Sequence, residues 1–171
     1  MKHGLTVKLR RSYTVHSNRA DDGKNLENMF NTAEEIQAFI AAFEQCTLPK
    51  PSWTHHAHLV AALWYLTHHS EEEALEIMRR RIRAYNEAVG TENSDGSGYH
   101  ETLTRLFLQG ISLHVAKHQG VALPDSVTAL LASPLGKREW PLRFYSRERL
   151  FSVEARRHWV APEKPVEEAS A

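Results

Sequence analysis

The sequence predicts an all-α fold, a single bundle of five or six helices, and three observations predict it. Apolar residues recur three and four apart along most of the chain. Serine or threonine followed three residues later by glutamate precedes two of these runs, the pattern of a capping box. No segment alternates apolar and polar residues as a strand would, and no internal repeat is present.

The elements follow in chain order. Thr32 and Glu35 form the first capping box, ahead of "IQAFIAAF". "TLPKPS" then breaks the chain, and Thr54 caps a second helix that runs to about Thr67. After His58 that helix is apolar on all sides, which marks it as the buried centre of a bundle. Ser70 and Glu73 open a long third helix whose stripe is Leu75, Met78, Ile82, Tyr85 and Val89. "GTENSDGSG" is a polar loop with three glycines: a lid able to close over a pocket, or a plain connector. Leu103, Phe107, Ile111 and His114 mark the next helix, which closes near Gly120. "LPDSVTALLAS" is a short helix, "PLGKREWPLRF" a proline-broken connector, and "YSRERLFSVEARRHW" a last amphipathic helix. The helical domain therefore spans residues 29–160. Residues 1–28 are a polar, aperiodic extension, with Met29 a candidate start, and 161–171 a flexible tail.

Composition excludes several functions. Lysine and arginine number 21, aspartate and glutamate 21, so no basic footprint for nucleic acid exists. The apolar run after His58 ends before His68, far short of the ~20 residues that span a bilayer. The basic N-terminal residues precede no apolar core of a secretory signal. The single cysteine, Cys46, precludes an intramolecular disulfide and a cysteine-rich zinc site. A cytoplasmic protein fits. A homodimer stays open, because an all-apolar helix can be buried by its own bundle or by a twin.

Histidine is the anomaly: of eleven, six fall between His55 and His100. On a helix His55 and His58 are separated by about 60° and share a face. His100, on the stripe of Leu103 and Phe107, faces inward from the following helix. Together they would hold a divalent metal ion, zinc or iron, in a three-nitrogen set with open positions for water or substrate. Both groups lie in first turns, where the helix dipole disfavours a cation by about 0.3–1 kcal/mol. Zinc affinities of about 10–16 kcal/mol override that. The same geometry would also serve an anion. His114, alone on an apolar stripe, reads as a satisfied core histidine; His56, His68, His69, His118 and His158 read as solvated or capping.

Around that site Glu101 would support a metal ligand from behind or act as acid or base, and Tyr99 would line the pocket; these two residues are assigned to catalysis. Arg83, Asn86, Thr102 and Thr104 are assigned to the substrate: Arg83 as a carboxylate clamp or half of a surface pair with Glu87, and Thr104 to hold the His100 ring.

The stretches "WTHHAHL", "YNEAVG", "GYHETLT" and "FYSRERLFSVEARRHWVAP" resemble a family of small helical bacterial proteins with no characterised activity, over about residues 30–162. The resemblance marks His55, His58, Asn86, Tyr99, His100, Glu101 and Thr102 as motif positions and implies no substrate. Three functions are therefore expected: a small metal-dependent hydrolase, hydratase or oxygenase acting on a small molecule; a non-enzymatic module binding an anion at the helix N-termini with neutral histidines as donors; or an interaction protein in which the histidines only cap and pack.

Overall fold

Thr32 and Ser70 each accept a hydrogen bond from the glutamate N–H three residues on, and each glutamate reaches back to the cap, so both capping boxes form as expected. They open α1 (Ala33–Glu44) and α3 (Glu71–Ala88) in a computed structural model that describes residues 30–165. Thr54 caps α2 (His55–His68), accepting from Ala57 N–H at 3.3 Å. After the glycine loop come α4 (Glu101–Lys117) and α5 (Leu123–Ala132), then the short α6 (Arg147–Leu150) and α7 (Val153–Arg157). Single turns of 3-10 helix occupy Lys50–Ser52, Pro134–Gly136 and Trp140–Arg143, each with proline near its start. The architecture is all-helical, and no strand occurs among the described residues.

α2 is the centre of the bundle. Seven of its fourteen residues are buried, and it packs against α3, α4 and α5. α1 contributes Ile36, Phe39, Ile40 and Phe43 to the same core. Of the long stripe in α3, Met78, Ile82 and Tyr85 are buried, while Leu75 and Val89 pack at its margin.

One expectation needs correction. The last helix is not continuous: Ser146 and Ser152 each cap a new turn, Ser152 accepting from Ala155 N–H, and the chain turns at Phe151. Serine favours such caps because its hydroxyl competes for the backbone donors that a continuous helix would use. Beyond Val160, Glu163 and Lys164 N–H both donate to Phe144 C=O. The Glu163 carboxylate also accepts from Ser146 N–H. The extension 1–28 and residues 166–171 lie outside the described residues.

Candidate functional site: a histidine-lined cleft

The first turn of α2 carries three histidines, and each is fixed by a backbone carbonyl. His58 Nδ1 lies 2.7 Å from Thr54 C=O, one turn back. A carbonyl only accepts, so Nδ1 carries the hydrogen and Nε2 the lone pair. His55 and His56 place Nε2 3.3 Å from Leu135 and Gly136 C=O respectively, pinning the Pro134–Gly136 turn to α2. His55 therefore keeps its lone pair on Nδ1.

Neither His58 Nε2 nor His55 Nδ1 has a hydrogen-bond partner among the described residues, and neither is sealed from solvent. Both residues line a cleft of about 560 Å³ between α2, α4, α3 and the C-terminal segment. That volume is ordinary for a small-molecule site. The His58 ring tilts over Trp53 at 3.9 Å, and Trp53 in turn stacks on Phe43 at 4.1 Å. The Trp53 indole N–H is sealed from water without a partner, an unmet donor that costs about 1–3 kcal/mol at the cleft wall.

His100 is organised differently. It is the N-cap of α4, and its Nδ1 accepts from Leu103 N–H at 3.2 Å. Nε2–H donates to Leu150 C=O at 3.0 Å. Both nitrogens are thus spent, one on starting α4 and the other on fastening the α6 wall of the cleft to it. The sequence placed His100 inside the helix; the cap position, with extended backbone, is what lets the ring fold back over the first turn.

Burial is the largest influence on all three rings and disfavours their charged forms. It pushes His58 and His100 down to about 4, with Arg156 adding to the effect on His100. His55 is lowered as well, in part offset by the hydrogen bond to Leu135. All three are neutral at physiological pH.

The cleft collects His55, His58, His100, Tyr99 and Thr104 and leaves the remaining expected residues behind it. His55 packs edge-on to Phe107 at 5.2 Å. Phe107 lies two turns beyond His100, about 10 Å along α4. Among the described residues no three histidine, cysteine, aspartate or glutamate side chains are grouped to hold a metal ion. Thr104 Oγ1 donates to the His100 carbonyl at 2.9 Å, and not to its ring.

Glu101 is buried in a fork. Arg79 Nε donates to Oε2 at 2.9 Å and a terminal nitrogen to Oε1 at 2.5 Å, while Tyr99 Oη–H adds a third bond at 2.9 Å. Burial alone would raise its pKa, but the Arg79 and Tyr99 hydrogen bonds outweigh it and hold the carboxyl ionised below its usual range. Burial and the Glu101 charge push Tyr99 up. This is a buried ion pair with three of the carboxylate's four lone-pair sites committed. Arg83 lies over the Tyr99 ring at 4.7 Å, outside the cleft. Asn86 donates to Asn93 Oδ1, which also accepts from Tyr99 N–H, so the pair ties the glycine loop down. Thr102 joins α4 to the C-terminal segment, donating to His158 C=O at 2.8 Å and accepting from Val160 N–H at 3.1 Å.

Sequence reasoning missed Arg138, Glu139 and Phe151, which line the cleft from the connector and the α6–α7 break. Nothing in "PLGKREW" signals it; the placement depends on the Pro134–Gly136 turn being drawn onto α2. The site and fold together define a helical bundle with one polar wall of neutral imidazoles. No family model, curated protein or solved structure matches the chain. No described helix is long and apolar enough to cross a membrane.

Proposed function

We propose that the chain is a small-molecule-binding protein whose ligand lies in this cleft and donates a hydrogen bond to His58 Nε2. The observation that carries the reading is the pair of partnerless ring nitrogens, His58 Nε2 and His55 Nδ1, on two residues that line a cavity of ligand size. Their N–H groups are turned inward onto carbonyls, so the wall offers acceptors. A bare anion would be repelled there, in contrast to a site where histidines act as donors; a hydroxyl, amine or amide N–H is suited. A ring with a pKa of about 4 is also a poor general base near pH 7, which favours binding over proton abstraction.

A fragment screen followed by amide NMR spectra tests this. Hits should perturb Trp53, His58, Leu103 and Phe107, and His58→Phe should abolish them. Hits that map elsewhere, or that survive the substitution, contradict the reading.

The metal-dependent enzyme is a second reading, favoured by the same two open nitrogens on one face of α2. Two imidazoles would need a ligand carboxylate or water to complete the shell. Zinc binding followed by elemental analysis separates the two: this reading requires retention lost in His55→Ala and His58→Ala but kept in His100→Ala.

A further inference from the structure

The charges around the cleft narrow the ligand. Arg138, Glu139 and Arg147 all line it, and none makes an ion pair or a side-chain hydrogen bond among the described residues. Two other arginines of the C-terminal segment are committed elsewhere: Arg156 donates to Gly98 and Tyr99 C=O, and Arg157 forks Asp95. With the histidines neutral, two arginines against one glutamate leave the lining at net +1. Arg138 stands on the His55 and His58 side, close enough for its charge to reach both rings. Arg147 lies 5.8 Å over the Phe151 ring at the other side. Between them the walls are apolar, from Leu59, Ile82, Leu103 and Phe107.

A ligand complementary to this wall needs a negative group for Arg138, a hydrogen-bond donor beside it for the imidazole lone pairs, and an apolar body. We propose that the cleft takes a small monoanionic hydroxy acid with an apolar tail, its carboxylate on Arg138 and its hydroxyl donating to His58. This rests on the reading of the cleft as a small-molecule site. A carboxylate alone would face lone pairs, and an alcohol alone would leave Arg138 without its counter-charge. Arg138 is then the residue that selects acids over alcohols.

The test is calorimetric titration of the full chain with three probes: phenyllactate, its deoxy analogue hydrocinnamate, and phenylpropanediol, which keeps hydroxyl but lacks carboxylate. Phenyllactate should bind tightest, the diol about ten- to a hundredfold more weakly for the lost charged bond to Arg138, and hydrocinnamate about two- to tenfold more weakly for the lost neutral bond to His58. Arg138→Gln should bring phenyllactate down to the level of the diol, and Glu139→Gln should tighten it. Arg138 and Glu139 are exposed, so both variants fold. Equal binding of diol and acid, or an Arg138→Gln variant that binds phenyllactate normally, overturns the acid assignment while the cleft reading stands. So does failure of all three probes in a cleft that takes fragments. Failure of probes and fragments alike removes the cleft reading itself.

Discussion

Replacing His100 separates its two hydrogen bonds. Asparagine is a good N-cap and retains the bond to the first turn of α4, but it cannot also reach Leu150 C=O. Alanine loses both. A lost cap costs about 0.5–2 kcal/mol, and a buried carbonyl left unpaired about 1–3 kcal/mol. His100→Ala should therefore be less stable than His100→Asn by about 1 kcal/mol in urea unfolding, and both less stable than the parent. Equal losses in the two variants would mean that His100 does not cap α4. The Glu101 fork makes a parallel point. Its carboxylate accepts three hydrogen bonds from Arg79 and Tyr99, which leave about one of its four lone-pair sites open.

The glycine loop and the C-terminal segment are the elements that complete the cleft. Gly98 has φ +73°, and a Cβ there would stand 2.5 Å from Glu92 C=O; Gly96 has open space around it. Gly98→Ala should destabilise by about 1–3 kcal/mol, whereas Gly96→Ala should be neutral or stabilising by up to about 1 kcal/mol. Comparable losses at both would contradict this account of the loop. Much at this scale was legible in the sequence. Both capping boxes, the Thr54 cap, the apolar α2 and the core role of His114, whose Nε2 meets Ser126 C=O at 3.1 Å, rest on residues within a turn or on one periodic stripe. The site was legible only as a set of residues. What fixes the His55 and His100 rings is a carbonyl from far along the chain, 80 residues away for His55 and 50 for His100. Helical spacing could put His55 and His58 on one face; it could not show that His55 meets Phe107 instead of His100. The amphipathic pattern of 145–159 likewise concealed a break that two serine caps impose.

At the scale of the whole molecule the buried histidines link folding to pH. Unfolded, each titrates near its ordinary value; folded, His58 and His100 stay neutral down to about 4. Below about pH 6.5 the unfolded chain takes up protons that the folded chain refuses. Stability is therefore intact above that value and declines as pH falls toward about 4. The decline is at most about 1.4 kcal/mol per pH unit for each histidine. Unfolding midpoints should drop between about pH 7 and pH 4.5, and His58→Phe, which removes one of these groups, should flatten the slope. An unchanged slope in that variant would show that His58 titrates normally in the folded chain.

The central claim is that the cleft presents fixed, neutral imidazole lone pairs from His55 and His58 while His100 is spent on structure. Long-range proton–nitrogen NMR correlation of the histidine rings, followed from neutral to acidic pH, tests it without any ligand. The account predicts a hydrogen on Nδ1 in His58 and on Nε2 in His55 and His100, with His58 and His100 remaining neutral well below the ordinary histidine range. Protonation of His58 near pH 6.5, or a His100 ring carrying its hydrogen on Nδ1, would contradict it.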